Sequence, residues 1–196
     1  MILEVDFMRI LAAQLNPTIG DLTGNTAKIL KAIKTGQEQS VDIVLFPELA
    51  LTGYPPEDFL LLPHFMDAVE ANLNQIAEAA TGLTVVVGTP RRNKDPFEKP
   101  LFNSAAIITD GKIVGYQDKI LLPTYDIFDE RRYFEPCKDS KIWTIKGKRV
   151  GITLCEDIWN HGEKLGSDIQ YLRDPVSELK PFKIDLLLNL SGSPYS

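Results

Sequence analysis

A carboxylate, an amine and a thiol each follow a predicted β-strand in this sequence, as Glu48, Lys119 and Cys155. Functional groups in open α/β sheets gather beyond the carboxyl ends of the strands, so parallel strands would place these three side chains in one crevice. A thiolate can attack a carbonyl carbon, a cation can stabilise the resulting oxyanion, and a carboxylate can transfer protons. The three residue types therefore suit nucleophilic acyl chemistry.

Further groups could support that chemistry. A neighbouring lysine favours the thiolate form of Cys155. The backbone N–H of Glu156, at a strand-to-turn junction, could donate to the oxyanion. Ser191 and Ser193 follow the last predicted strand and bring two hydroxyl groups to another strand end.

Each of the three residues also has a purely structural interpretation. Cys155 follows the apolar stretch GITL and could be a small buried hydrophobic residue. Glu48 follows a proline and could face the positive end of a helix dipole. Lys119 could be a solvated charge on a sheet edge. His161 lies close enough to Cys155 for a Cys-His pair to be conceivable, but the surrounding WNHGEK reads as an exposed loop. Cys137 reads as a bystander in a polar loop.

The elements that must position these residues alternate between strands and helices. Periodicity predicts four single strands, two helices and two hairpins. The strands are Met8–Leu15, Val41–Phe46, Leu83–Gly88 and Ile184–Leu190, the helices are Asn25–Gln37 and Pro63–Ala80, and the hairpins are Ala105–Lys119 and Lys141–Leu154. Arg91–Pro100 reads as a polar loop. This order predicts a layered α/β domain with a mixed sheet.

Composition narrows the function classes. The chain has 196 residues, of which 44% are hydrophobic, and a net charge of −6. That length predicts one domain, and the acidic balance argues against a nucleic-acid binder. Two cysteines are too few for a disulfide framework. The sequence shows no membrane-length apolar run, no basic signal-peptide region, no zinc-ligand spacing and no phosphate-binding glycine motif. We therefore expect a soluble cytoplasmic protein that binds no membrane.

Several segments resemble one protein family. They are AAQLNPTIGDLTGN (12–25), FPELALTGYPPEDFL (46–60), DKILLPTYDIFDERRYF (118–134), GITLCEDIW (151–159) and NLSGSPYS (189–196). The chain resembles the carbon–nitrogen hydrolase, or nitrilase, superfamily. More narrowly, the CEDIW and YDIFDERRYF segments resemble the N-terminal glutaminase domain of glutamine-dependent NAD synthetases.

The resemblance implies a nitrilase-like α-β-β-α sandwich and a mechanism. Cys155 would attack the side-chain amide of glutamine, while Lys119 and the Glu156 N–H hold the oxyanion. Glu48 would deliver a proton to the departing ammonia and then activate water to hydrolyse the thioester. Glu130 matches a second family glutamate that orients Lys119 and the water, although a helix-surface charge is the alternative interpretation.

The resemblance also implies how substrate binds. Tyr54 and Tyr125 match tyrosines that line the glutamine pocket, and half-buried core tyrosines are the alternative. Ser191 and Ser193 match the part that holds the α-amino and carboxylate groups, and a simple turn before Pro194 is the alternative.

The family pattern is longer than this chain. The resemblance implies a glutaminase domain truncated at its C-terminus, with the synthetase domain and its S-G-G-x-D-S phosphate loop absent. It implies no cofactor here, ATP and Mg²⁺ only in the synthetase domain, that domain as the acceptor of ammonia, and a homo-oligomer. Two other functions stay open, namely a stand-alone amidase or nitrilase and a non-catalytic scaffold.

Overall fold

Two β-sheets form the centre of the computed structural model, which describes residues 7–159 and 171–192. The first sheet has the strand order β1-β2-β3-β4-β5 and the second has the order β6-β7-β8. The strands are β1 Ile10–Ala12, β2 Ile43–Leu45, β3 Thr84–Arg92, β4 Leu101–Thr109, β5 Lys112–Asp118, β6 Ile142–Ile145, β7 Lys148–Leu154 and β8 Leu186–Leu190.

Strand direction brings the predicted site residues to common edges. In the first sheet β1, β2 and β3 are parallel, and β4 is antiparallel to both β3 and β5. Strand β5 therefore runs in the same direction as β2, and the carboxyl ends of both lie at the same edge. In the second sheet β7 and β8 are parallel, so their carboxyl ends also share an edge.

The described residues form four α-helices beside the sheets: α1 Leu22–Glu38, α2 Pro63–Ala79, α3 Glu130–Tyr133 and α4 Pro175–Leu179. Helix α2 begins at Pro63, as predicted, because proline suits the first helical position. Helix α1 begins three residues before the predicted Asn25. The carboxylate of Asp21 accepts a hydrogen bond from the Gly24 N–H at 2.9 Å and caps the helix there.

The layers follow from two apolar clusters. Helices α1 and α2 pack on one face of the first sheet, with Ile29 and Val69 in the shared core. The other face packs on the second sheet, where Ile107 lies in one cluster with Val150 and Ile152. Because side chains alternate along a strand, Gly151 faces the opposite side of β7. A Cβ there would lie 3.0 Å from Leu179 of α4, so α4 covers the outer face. The predicted α-β-β-α layering is confirmed.

Strands β1 and β3 differ in length from their predictions. Strand β3 continues to Arg92, so the prediction that a loop starts at Arg91 is wrong. Arg91 is held in the sheet by Asp118 of β5, with Nε–Oδ1 and NH2–Oδ2 distances of 2.7 and 2.5 Å. Strand β1 is shorter than predicted, because only Ile10–Ala12 pairs with β2.

Within residues 7–159 and 171–192, none of the helices is both long and apolar enough to cross a membrane.

Candidate active site

Glu48 lies in a turn that follows β2 after Phe46 and Pro47. The turn rests on the backbone of β3 at Gly88, where an added Cβ would lie 2.3 Å from the Leu49 nitrogen and 2.7 Å from the Glu48 carbonyl carbon. A side chain at position 88 would therefore displace Glu48. Since this segment is a turn and starts no helix, the interpretation of Glu48 as a helix N-terminal carboxylate is wrong.

Lys119 joins two carboxylates at the carboxyl end of β5. Its Nζ lies 2.7 Å from Oε1 of Glu48 and 2.7 Å from Oε1 of Glu130, the first residue of α3. The exposed fractions of Lys119, Glu48 and Glu130 are 1%, 2% and 5%. The interpretations of Lys119 as a solvated edge charge and of Glu130 as a helix-surface charge are therefore both wrong.

Burial and the neighbouring charges set the protonation of Lys119 and Glu130. Burial by itself lowers the pKa of Lys119, but the carboxylates of Glu48 and Glu130, and then Cys155, raise that pKa well above its ordinary value. Burial raises the pKa of Glu130 to about 7, although the positive charge of Lys119 opposes the rise. Lys119 is therefore a permanent cation, and Glu130 titrates near neutral pH.

This shift predicts how stability depends on pH. The pKa of Glu130 is higher in the folded state, at about 7, than its ordinary 4.5. The folded state thus holds the proton more tightly, so this stabilising contribution is complete below about pH 4.5 and is lost as the pH rises through about 7. Urea unfolding of the chain and its Glu130→Gln variant should show their difference changing by the order of 3 kcal/mol over that window.

The control for this measurement is Glu78→Gln, which changes an exposed carboxylate on α2. Its difference from the unmodified chain should stay constant with pH. A constant difference for Glu130→Gln as well would contradict the buried, raised titration of Glu130.

Tyr54 and Asn103 also donate hydrogen bonds to this cluster. The Tyr54 hydroxyl donates to Oε1 of Glu130 at 2.9 Å. The Asn103 side-chain nitrogen donates to Oε1 of Glu48 at 2.8 Å and to Oε2 of Glu130 at 3.3 Å. Sequence analysis missed Asn103, which lies inside β4 and follows no strand. The sequence signal is a polar pair, Asn103 and Ser104, in a strand whose other residues up to Ile108 are apolar.

Cys155 follows β7 and begins a 3₁₀ helix, Cys155–Ile158. Its φ of 40° lies in the left-handed region, which residues other than glycine seldom adopt. The thiol is partly exposed, and the Ser191 hydroxyl lies 3.5 Å from its sulfur. A fully buried apolar cysteine, the structural alternative, does not fit this position. Cys137 differs, because burial raises the pKa of its thiol, and its sulfur donates to the Asp139 carbonyl at 3.2 Å.

The segment after β8 connects the thiol with Glu48. Ser191 contacts the Cys155 sulfur, and a Cβ on the next residue, Gly192, would lie 3.4 Å from Oε2 of Glu48. Cys155 and Glu48 therefore face the same short stretch of backbone. Ser193 and His161 lie outside the described residues.

Glu156 contributes a buried side chain as well as its backbone. Its carboxylate accepts hydrogen bonds from the Tyr125 hydroxyl at 2.9 and 3.0 Å and from the Tyr171 hydroxyl at 2.9 Å. Burial, together with this carboxylate, raises the pKa of both tyrosines, so they remain protonated donors. Sequence analysis considered only the N–H of Glu156 and missed Tyr171.

Asp157 ties the two sheets together beside the site. Oδ1 of its buried carboxylate accepts the N–H groups of Ile120 and Leu121 at 3.1 and 2.8 Å, and Oδ2 accepts that of Leu154 at 3.0 Å. Burial raises the pKa of Asp157 to about 6, although these hydrogen bonds oppose the rise. The carboxylate thus joins the residues after Lys119 to the residue before Cys155.

A cavity adjoins this cluster, but neither Cys155 nor Glu48 lines it. The cavity, of about 200 Å³, is bounded by Tyr54, Phe128 and Glu130, among other residues. Within the described ranges, the chain has no group of three or more His, Cys, Asp or Glu side chains placed to hold a metal ion.

Known proteins are similar to this chain in sequence. The family model for carbon–nitrogen hydrolases matches residues 9–165. The glutamine-dependent NAD(+) synthetase of Synechocystis sp. is 42% identical over 188 residues, which are 94% of this chain and 34% of the relative. That of Thermotoga maritima is 39% identical over 191 residues, 96% of this chain and 30% of the relative. The chain spans about a third of the length of these relatives.

Solved structures share its fold. The glutamine-dependent NAD⁺ synthetase of Acinetobacter baumannii, in complex with ADP, superposes with a TM-score of 0.85 at 31% identity, over 96% of this chain and 33% of that one. A nitrilase-superfamily amidase of Nesterenkonia sp. AN1 superposes with a TM-score of 0.75 at 21% identity, over 94% of this chain and 64% of that one. The second likeness concerns the fold alone. The fold and the match to residues 9–165 together show that this chain belongs to the carbon–nitrogen hydrolase family.

Proposed function

We propose that this chain is the glutaminase part of a glutamine-dependent NAD synthetase and releases ammonia from glutamine through a Cys155 thioester. The observation that carries the proposal is the buried cluster of Glu48, Lys119 and Glu130, which faces the same backbone segment as Cys155. The relatives that are 42% and 39% identical bear the name of that synthetase.

In the first half of the reaction the Cys155 sulfur forms a bond to the side-chain amide carbon of glutamine. Glu48 accepts the thiol proton, and the positive charge of Lys119, with the Glu156 N–H, stabilises the oxyanion. Glu48 then gives the proton to the amide nitrogen as the C–N bond breaks. Ammonia leaves, and a glutamyl thioester remains on Cys155.

In the second half, water attacks the thioester carbon. Glu48 takes a proton from the water, the new C–O bond forms, and the C–S bond breaks. The proton returns to the Cys155 sulfur and glutamate leaves. Glu130 holds Lys119 in place during both halves through its 2.7 Å ion pair.

The site offers groups for the amino-acid end of glutamine. The Glu156 carboxylate carries a negative charge that suits the α-ammonium group. Tyr125 lies against that carboxylate, and Tyr54 donates to Glu130 and lies beside Gly192. Ser191, with Ser193, is proposed to hold the α-amino and carboxylate groups.

The released ammonia would be consumed in NAD formation by a synthetase domain that uses ATP and Mg²⁺. The relatives' names and the third of their length that this chain spans support this division of labour. The predicted homo-oligomer stays a prediction.

Replacement of Cys155 by alanine should reduce glutamate release from glutamine to background, because the variant lacks the thiol that is proposed to form the thioester. The assay measures glutamate released by the chain, its Cys155→Ala variant and the matched control Cys137→Ala, which should keep its activity. Mass spectrometry should find 6-diazo-5-oxo-norleucine on Cys155 and not on Cys137.

Other outcomes would replace the proposal. Equal release from the chain and its Cys155→Ala variant would remove the mechanism. Faster hydrolysis of simple amides or nitriles than of glutamine would favour the stand-alone amidase or nitrilase. Equal labelling of both cysteines, with no hydrolysis, would favour the non-catalytic scaffold.

A further inference from the structure

The two oxygens of the Glu48 carboxylate have different surroundings. Oε1 accepts two hydrogen bonds, from Lys119 Nζ at 2.7 Å and from the Asn103 side-chain nitrogen at 2.8 Å. Oε2 accepts none from the described residues. It lies beside Gly192, and the preceding residue, Ser191, contacts the Cys155 sulfur. The carboxylate oxygen that accepts no hydrogen bond from the described residues, Oε2, therefore faces the segment beside the Cys155 thiol.

We propose that Asn103 is a positioning residue which, together with Lys119, occupies Oε1 of Glu48 and leaves Oε2 as the oxygen that transfers protons. This inference rests on the proposed function for the role of Glu48. It adds a residue that lies within β4 and follows no strand, beside the carboxyl end of β5.

The chemistry of asparagine suits this role. One planar amide nitrogen carries two hydrogens and reaches both carboxylates, at 2.8 Å for Glu48 and 3.3 Å for Glu130. The amide is neutral, so it orients the carboxylates without cancelling their charges as a second lysine would. Hydrogen bonds to ionised acceptors are also stronger than those between neutral groups.

The oxygen of the Asn103 side chain, Oδ1, lowers the stability of the fold. Asn103 is fully buried, and its Oδ1 is one of two buried side-chain atoms in the described residues without a hydrogen-bond partner. An unsatisfied buried acceptor is destabilising. Rotating the amide would relieve nothing, because it would turn Oδ1 toward two carboxylates. Asn103 is thus poorly suited to stability alone and well suited to donating to Glu48.

The test compares Asn103→Leu, which keeps the shape and removes the donors, with Asn103→Ser, whose short hydroxyl cannot reach both carboxylates. The matched control is Thr89→Val. Thr89 is also fully buried in the first sheet, but its hydroxyl donates to the Pro90 carbonyl. Two readouts are used, namely glutamate release and the rate at which iodoacetamide labels Cys155 between pH 5 and 9, with Cys137 as the internal reference.

Asn103→Leu and Asn103→Ser should lower kcat by about tenfold or more while KM changes by less than about twofold. The acid limb of the Cys155 labelling profile should move to higher pH, because ionised carboxylates lose a donor. The charged and titratable groups around Glu48 are Lys119, Glu130, Tyr54 and Cys155, and none of them is changed by the variants. Thr89→Val should leave both readouts unchanged.

An unmoved labelling profile in both Asn103 variants would overturn the proposal, whether or not kcat falls. So would a loss of kcat that Thr89→Val reproduces, since that would reflect the folding of the sheet. A shifted labelling profile in a chain that releases no glutamate would support Asn103 as the positioning residue and would refute the glutaminase function instead.

Discussion

Replacement of Lys119 by methionine is expected to abolish glutamate release and to destabilise the fold by about 3–5 kcal/mol at pH 8. Methionine fills a similar volume but carries no charge. The variant would leave Glu48 and Glu130 buried and facing each other with the cation removed. An uncompensated buried charge is far less favourable than a buried ion pair. Turnover should fall to background, because the oxyanion loses its cation.

The size of this destabilisation should depend on pH. Without Lys119, proton binding is the remaining way to lower the charge of the two carboxylates. The pKa of Glu130 is already raised to about 7, and losing the cation that opposes this rise will raise it further. A carboxylate with a raised folded-state pKa is most favourable at low pH. Urea unfolding should therefore show a smaller destabilisation at pH 5.5 than at pH 8.

A second substitution separates charge from packing. The double variant Lys119→Met with Glu130→Gln has one buried carboxylate where the single variant has two, so it should be more stable than Lys119→Met alone at pH 8. A double variant less stable than either single one, together with a destabilisation that is the same at both pH values, would show that packing and not charge is lost.

The principal charged groups could be located from the sequence, because they follow the ends of strands. Glu48 and Lys119 follow β2 and β5, which run in the same direction, and so both side chains reach one edge of the sheet. Cys155 and Ser191 follow the parallel strands β7 and β8 of the second sheet. The end of each strand can be predicted from the local sequence, because an apolar run stops there and turn residues follow.

The sequence could not show which side chains meet across the sheets. Asn103 lies in mid-strand, and its contact with Glu48 spans 55 positions of the chain. Tyr171 donates a hydrogen bond to Glu156, which lies 15 positions earlier in the chain. Asp157 accepts one from the N–H of Ile120, which lies 37 positions earlier. Such contacts depend on how two sheets are stacked, and periodicity within one segment carries no record of that stacking.

The structure also changed the interpretation of the CEDIW segment. Sequence analysis used its cysteine and a backbone N–H from the next residue. In the structure the two side chains that follow Cys155 accept hydrogen bonds from different groups. The Glu156 carboxylate accepts from two tyrosine hydroxyls, and the Asp157 carboxylate accepts from three backbone N–H groups. Three consecutive residues thus supply a thiol, a negative charge and a link between the sheets.

Replacement of Asp157 by asparagine should destabilise the protein by about 2–4 kcal/mol at pH 7.5. At that pH, above its pKa of about 6, the side chain is an ionised acceptor with two oxygens. Asparagine has one acceptor oxygen. Whichever way its amide turns, its NH₂ group must face either the Leu154 N–H or the N–H groups of Ile120 and Leu121. At least one buried donor then lacks its partner and lies against another donor.

Because these N–H groups belong to residues beside Lys119 and Cys155, the same change should slow iodoacetamide labelling of Cys155. The control is Asp21→Asn. Asp21 accepts a single N–H, from Gly24, at the exposed start of α1, and asparagine caps a helix about as well as aspartate. Asp21→Asn should therefore change stability by less than about 0.5 kcal/mol. Equal stabilities for both variants would show that Asp157 does not hold the sheets together. A destabilised Asp157→Asn chain that labels at the normal rate would confine its role to folding.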